Sequence, residues 1–530
     1  MSAKVAMYKY LGNAPYLFQF CESLDLPHLI DAAVPQRQQR GCQATVGEIV
    51  TLLVVNRLTV QSPFYHVEEW VAKSGLDLCL SCSADELNDD RLGRALDHLT
   101  PSWAKIQDSV VVKTVERFKI DPSVVHYDLT SVSFEGRYDD SSIVQFGYSR
   151  DKRPDKRQVN IGLNTTDQEP IPVLWKVFPG KTPDVTTVVD NMEALRERFQ
   201  GTKFVHVGDR AMLSEDIIKN ARRLGVDIVS PLKDVKSVKE LLEGLDPDQL
   251  TEVVLSKDGR TINYRLGESR ILYKEDKESM ELRAVVVWSR SKENRERRDR
   301  LKRIENVRSQ LQTVQGKLNK SYWRTRKRIQ KKLDGILSKS SSTISSGFSY
   351  ILEGSDGQLV LTIHEHPEVW DQEAAFDGYY VLGTTLPADQ WTVRDVFQLY
   401  KVQYVVESNF RTLKSTLGVA PVYLHQDDRI LGLAHITMLA LLVYSLLEML
   451  LRRHGLALTT RRFFQLLTGM VVFQLLLPDK TLSLQVGPLP HEEQSLLEKI
   501  GVKDPDNWFL SRAKGRFSFQ NDQFLPPRGK

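Results

Sequence analysis

The rhythm of apolar and polar positions changes several times along the chain, and each change marks a boundary. Residues 1–118 carry short apolar runs at helical spacing. Thr45 and Glu48 have capping-box spacing ahead of Ile49, Leu52 and Leu53, and Pro63 stands where a first-turn proline fits. Asp90–Leu99 predicts a further short amphipathic helix. Such a cluster suits a helix-turn-helix-like DNA reader and, equally, a dimerisation or scaffold domain. At Val124 the texture turns β-branched. Residues 124–132, 158–163, 173–178 and 203–207 read as strands. Ser214 then caps a helix with Glu215 and Asp216 in its first turn, and residues 227–230 form a short strand. Clustered strands followed by strand–helix alternation predict a mixed α/β sheet.

Residues 233–376 break that rhythm. Strands are predicted at 251–256, 261–265, 270–274 and 281–288, and again near 348–353 and 358–363. Between these groups a long polar helix is expected over 290–337, with an apolar stripe of Leu301, Ile304, Leu311, Val314, Leu318, Ile329 and Leu333. Its other side is strongly basic, from Arg295, Arg297, Arg298, Lys302 and Arg303 at one end to Arg324–Arg328, Lys331 and Lys332 at the other. A strand at 379–382 leads into a helix over 392–417, and the leucine-rich remainder reads as helical. The resulting division is a helical N-terminal domain (1–118), a core in two parts (119–232 and 377–450), an insertion (233–376) and a helical C-terminal region (451–530).

Composition adds limits. Hydrophobic residues at 41% and charged residues at 26% are ordinary for a globular protein, and a net charge of +4 over 530 residues does not by itself announce a nucleic-acid binder. Four cysteines, including the Cys79–Cys82 pair, argue against a disulfide-stapled fold and lack the second close pair of a zinc site, so buried reduced thiols are expected. No signal-like run opens the chain. Leu431–Leu451 approaches membrane-span length but carries His435, Thr437, Ser445 and Glu448, which predicts a buried core helix, no membrane association and a cytoplasmic protein.

The chemistry concentrates in three acids. On the predicted 392–417 helix, Tyr400, Gln403, Glu407 and Lys414 fall on one face with Arg411 beside them, while Leu399, Val402, Val405, Val406, Phe410 and Leu413 supply the packing side. Asp128 lies in the first strand of the sheet. Asp209 follows Phe204–Val207 through Gly208, at a strand's carboxyl end, where open α/β sheets bind ligands. An aspartate at a strand end is most often a solvated turn residue, so the three gain meaning only jointly. Two carboxylates about 4 Å apart repel by roughly 4 kcal/mol at an effective dielectric near 20, and a dication between them reverses the sign. Oxygen-only ligands suit magnesium or manganese, and a paired-ion site clamps the attacking and leaving oxygens of phosphoryl transfer. Gly180-Lys181-Thr182 mimics a phosphate loop but has Trp175 where the first glycine belongs, and His364-Glu365-His366 lacks zinc spacing.

These stretches resemble the DDE transposases of bacterial insertion sequences, in the branch whose glutamate helix carries a Y-x2-R-x3-E-x6-K signature. Tyr400, Glu407 and Lys414 match it, while Gln403 replaces the arginine. Tyr127-Asp128-Leu-Thr-Ser and Val207-Gly208-Asp209-Arg210 are similar to the two aspartate strands, Gly147–Gln158 to the hairpin between them, and Pro421–His425 to the segment after the glutamate helix. The resemblance implies an RNase H-like core interrupted by a strand-rich insertion, with Asp128, Asp209 and Glu407 as catalytic metal ligands. It implies Mg2+, with Mn2+ able to substitute. It further implies binding to the terminal inverted repeats of a mobile element and to target double-stranded DNA, cleavage and strand transfer, a homodimer in the active complex, and a bacterial, nucleoid-associated location. An insertion of this kind helps hold a DNA hairpin or a flipped base in relatives, with Trp288 and Trp323 as candidates for stacking against core packing. Arg150, Lys152, Arg153, Lys156 and Arg157, with Tyr400, Gln403, Arg411 and Lys414, are the expected DNA contacts. Two rivals remain: a nuclease of the same fold that does not join, and an inactive, transposase-derived DNA-binding protein.

Overall fold

The computed structural model describes residues 4–35, 43–80, 82–210, 213–257, 260–274, 279–418, 424–479 and 481–513. The chain divides into two compact units: Met1–Met212 with Lys219–Asp227 and Lys401–Lys530, and Leu213–Ile218 with Ile228–Tyr400.

The first unit holds strands Lys4–Gly12 (β1), Val124–Phe134 (β2), Arg157–Thr166 (β3), Pro172–Pro179 (β4) and Val205–Val207 (β5). β3 pairs antiparallel with both β2 and β4, and β5 lies parallel on the other side of β2. β2 and β3 are buried along nearly their whole length, which explains their almost continuous apolar or small-polar character. Two of the polar exceptions donate to backbone: Asn164 to the Leu174 carbonyl at 3.3 Å, and Asn160 to that of Gly180 at 3.2 Å. The predicted capping box is formed at the start of the Val46–Thr59 helix, where the Glu48 N–H donates to Thr45 Oγ1 at 3.1 Å and the Thr45 N–H to Glu48 at 2.9 Å. That helix packs on Asp427–Arg453, the one helix among the described residues long and apolar enough to cross a membrane; its apolar window is 94% buried inside the protein.

Two regions read as helical contain strands. β1 pairs antiparallel with Met470–Leu476, which pairs in turn with Leu482–Val486, giving a small sheet built from both ends of the chain. Met470–Leu476 is an apolar run of seven residues, a length at which periodicity cannot separate two helical turns from one strand, and its adjacent valines favour the strand. Cysteine usage also differs from expectation. Cys21 and Cys79 are buried, Cys21 as a free thiol, but Cys82 is disulfide-bonded, a pairing set by proximity in the fold that the Cys79–Cys82 spacing does not encode. Pro421–Tyr423 of the expected post-helix motif lie outside the described residues.

In the second unit, Tyr379–Thr384 pairs antiparallel with Asp227–Pro231 on one side and Ser279–Ser289 on the other, and Arg260–Lys274 and Thr251–Lys257 continue the order. Arg260–Lys274 is one strand where the sequence suggests two. Gly267 does not interrupt it: a side chain there would fall 2.5 Å from Leu250, so the position serves close packing. The long helix predicted over 290–337 is two, Arg290–Lys317 and Arg326–Leu337. The chain reverses between them through Asn319 and Ser321, both in the left-handed region at φ 63° and 43°. The Asn319 side chain fixes that reversal by donating to the Leu359 carbonyl at 2.9 Å and accepting from the Leu359 N–H at 2.8 Å. Ile304, Val307, Leu311, Val314, Ile329, Leu333 and Ile336 then form one apolar core with the Phe348–Glu353/Val360–Glu365 hairpin and Trp370. Leu301, expected on the apolar stripe, is 56% exposed. Trp323 packs against this core, and Trp288 lies under the Arg265 guanidinium at 5.1 Å.

Candidate active site

β2 and β5 bring the two aspartates together. Their parallel register pairs His126 with Val207, so Asp128 and Asp209 each stand two residues beyond the same rung, Asp128 within β2 and Asp209 just past the end of β5. Asp128 is half-buried and accepts the Leu129 N–H at 2.7 Å; Asp209 is exposed and accepts from Arg210. Burial, with further repulsion from Asp209 and Asp184, pushes the Asp128 carboxyl up to about 7 against the opposing pull of the Leu129 N–H and Arg150. A carboxyl raised chiefly by burial, with a second carboxylate adding to the shift, is poised to exchange a proton for a cation.

Asp184 is a residue the sequence reading passed over. It opens the Asp184–Thr187 turn, forms an ion pair with Arg150 and adds negative charge beside Asp128. Only contact in the folded chain, across more than fifty positions, could reveal it. Arg150 also reaches Ser131 Oγ on β2 at 3.4 Å, and Ser131 donates to Asn160 on β3 at 3.1 Å, so the cation is tied to two interior strands of the sheet. The hairpin that carries Arg150 is pinned by a close approach of backbones: a side chain at Gly147 would lie 2.0 Å from the Gly180 carbonyl oxygen.

Glu407 lies on the Tyr404–Arg411 helix, which packs against β2 and β3. Val405, Val406, Asn409 and Phe410 are buried, and Glu407 and Arg411 are exposed, one turn apart. Asn409, also missed in the sequence, pins the helix by donating to Thr165 Oγ1 at 3.1 Å and to the Pro170 carbonyl at 3.2 Å. Among the described residues, no group of three or more His, Cys, Asp and Glu side chains stands close enough together to hold a metal ion. The structure therefore brings Asp128 and Asp209 together, and does not bring Glu407 into a three-carboxylate cage with them.

The single helix expected over 392–417 is broken. Val393–Lys401 ends, Val402 and Gln403 form a turn, and Tyr404–Arg411 begins afresh before a wide π-helical turn at Thr412–Thr416. At the break the Val405 N–H bonds Val402 and the Val406 N–H bonds Gln403, a three-residue spacing that takes the backbone off the α-helical path. Tyr400, Gln403, Glu407 and Lys414 consequently share no continuous helical face. Tyr400 belongs to the second unit, its ring 6.1 Å from that of Tyr380.

Most of the expected DNA-contacting cations already have acidic partners. Besides Arg150 with Asp184, Arg153 pairs with Asp155 at 2.7 Å, Arg157 with Asp139 at 2.6 Å and Lys414 with Asp151 at 2.6 Å, and Lys156 pairs with Glu135. Lys152 is exposed at a left-handed turn position, φ 56°.

A family model described as a transposase DDE domain matches residues 119–443, and one described as a domain of unknown function (DUF4277) matches residues 8–104. Among solved structures, the chain is similar to a piggyBac transposase synaptic complex with hairpin DNA, at 9% identity and a TM-score of 0.40 over 87% of this chain and 80% of that one. It is more weakly similar to a Mos1 transposase paired-end complex with the left transposon end, at 9% identity and a TM-score of 0.15 over 36% and 61% of the two chains. At these values neither likeness defines the fold. No curated protein matches the chain.

Proposed function

The chain belongs to the transposase DDE-domain family, whose model spans more than half of it, and from that premise we propose that Asp128, Asp209 and Glu407 are its catalytic carboxylates. It is a transposase, an enzyme acting on DNA. The observation that carries the site assignment is the matched position of Asp128 and Asp209 on parallel neighbours β2 and β5, with the Glu407 helix packed on β2. The β4-β3-β2-β5 order, three antiparallel strands and then a parallel one, supports an RNase H-like core.

The donor set fits a hard divalent cation, Mg2+ with Mn2+ as substitute: it is all oxygen, and two of its members repel each other until a dication is placed between them. When bound, such ions supply activation of the attacking oxygen and stabilisation of the leaving one. The chain's own residues do the rest. Asp128 must lose its proton before it can serve as a ligand. Asn409 holds the Glu407 helix on β3, and a third ligand then requires Glu407 to move toward the aspartates. Exposed Arg411 and Lys152 can meet phosphates directly, whereas the paired cations exchange a carboxylate for a phosphate.

The reaction is in-line displacement at phosphorus, first by water at an element end and then by the freed 3′-OH on target duplex DNA, in a homodimer that joins two ends. Residues 1–118 read the terminal repeats. The test is incubation with candidate terminal repeats, a target plasmid and Mn2+. Cleavage with joined products is expected, and Asp128→Asn, Asp209→Asn and Glu407→Gln should each abolish both while end binding persists. Retained cutting by any of the three removes that residue from the site. Cleavage without joined product identifies a nuclease instead.

A further inference from the structure

The reversal between the Arg290–Lys317 and Arg326–Leu337 helices carries a dense positive surface that nothing in the described chain neutralises. Lys317, Lys320, Lys327, Arg328, Lys331 and Lys332 are all exposed, and among the described residues none of them forms an ion pair. The one acid in the Arg326–Leu337 helix, Asp334, is engaged by the Tyr350 hydroxyl at 2.6 Å. On that helix Lys327, Arg328, Lys331 and Lys332 occupy one side, and Ile329, Leu333 and Ile336 are buried on the other.

This arrangement works against the helix that bears it. Lys327 with Lys331, and Arg328 with Lys332, are like charges one turn apart, where unlike pairs would stabilise. Arg326, Lys327 and Arg328 put three cations in the first turn, where the helix dipole favours anions. Arg326 has a structural use, since it donates to the Leu352 carbonyl at 2.7 Å and that of Gly354 at 2.9 Å, while its own N–H is received by Asp356 at 2.9 Å. The other four have no such use. At the apex Tyr322 is 73% exposed, with the Arg328 guanidinium 5.1 Å above its ring, so one cation is held pointing outward over an aromatic face. The reversal itself is fixed by Asn319, so the surface is organised before any ligand arrives.

We propose that the reversal and the Arg326–Leu337 helix form a second DNA interface, which grips the phosphate backbone of duplex DNA without reading sequence, through Lys320, Lys327, Arg328, Lys331 and Lys332. Unpaired cations on a rigid helix complement the phosphates of a duplex, and contacts to phosphate position a protein on DNA without carrying sequence information. The interface deepens the transposase reading, on which its choice of DNA as partner rests.

The test uses the full-length protein and a labelled duplex of arbitrary sequence, titrated between about 50 and 200 mM salt. Lys327, Arg328, Lys331 and Lys332 are replaced together by Gln, with the melting temperature measured alongside. The variant should fold, gain slightly in stability, and flatten the slope of log affinity on log salt by roughly three to four. A single Lys331→Gln should flatten it by about one and serves if the fourfold variant fails to fold. An unchanged slope in a folded variant overturns the proposal and makes an acidic protein surface the better partner. The two readings fail separately: loss of this grip leaves the carboxylate assignment standing, and wild-type protein that grips duplex DNA but never cuts the candidate terminal repeats with metal defeats the carboxylate assignment alone.

Discussion

The hairpin beside Asp128 and the helix Arg326–Leu337 are comparably basic in sequence and opposite in structure. In the hairpin, Arg150, Arg153, Lys156 and Arg157 each meet a carboxylate, and Lys414 meets Asp151. On the helix, Lys327, Arg328, Lys331 and Lys332 meet none among the described residues. A run of cations therefore says little about field strength until its partners are known. The Arg153–Asp155 pair is exposed and of a kind worth only about 0.2–1 kcal/mol, and the others are partly buried on at least one side; on the proposed reading each is traded for a phosphate when DNA arrives. The helix pays in advance, through repulsion within the free protein, and meets DNA without a trade.

Four expectations break or sharpen that contrast. The largest concerns chemistry. If the first unit cuts and the second grips, Asp128→Asn should lower cleavage at least about a thousandfold, the scale of losing a group that acts only in the transition state, with duplex binding unchanged. A binding defect of similar size, measured by anisotropy, would blur the division. Next comes pH. With Asp128 carrying a proton below about 7, metal-supported cleavage should fall roughly tenfold per pH unit below that point, while the helix's grip, which does not involve Asp128, stays flat. The same raised carboxyl has a stability sign. The fold favours its protonated form, so this carboxyl's contribution to the stability of the metal-free protein is fully present below the ordinary carboxylate range and is lost as pH rises through 7. Asp128→Asn should abolish that loss and raise metal-free stability at pH 8 by on the order of 1–3 kcal/mol, read from denaturant midpoints. Third, Arg153→Gln with Arg157→Gln should flatten the salt slope by less than two, because each contact first breaks an ion pair. Smallest, Asp139→Asn should raise duplex affinity about two- to fivefold by freeing Arg157. A loss instead would mean that the pair holds the hairpin in shape.

Much of this was legible in sequence where local pattern decides the outcome. The predicted strand at 348–353 matches the observed Phe348–Glu353, the 124–132 run lies within β2, and the capping box at Thr45 and Glu48 formed as its spacing implied. Asp128 and Asp209 could be nominated because each ends or interrupts an apolar strand, and the parallel register then set them side by side. The rest depended on partners far away in the chain. Strand β1 needs Met470–Leu476, more than 450 positions distant, to be a strand at all. Asp184 matters only through Arg150 and Asp128. The break at Val402 and Gln403 follows no proline or glycine, so nothing local announced it, and it dissolved the single polar stripe on which Tyr400 and Lys414 were placed with Glu407. Gln403, where the resembling family has arginine, turns out to sit in that turn.

The small core under the basic helix is drawn wholly from residues 304–370, a stretch of sequence that includes none of Asp128, Asp209 and Glu407. Mutation can add or remove a lysine there without replacing either a buried side chain or one of the three acids. A lineage carrying such an arm is free to tune how long it stays on DNA, to suit a new host's ionic interior, while the cutting machinery is inherited untouched.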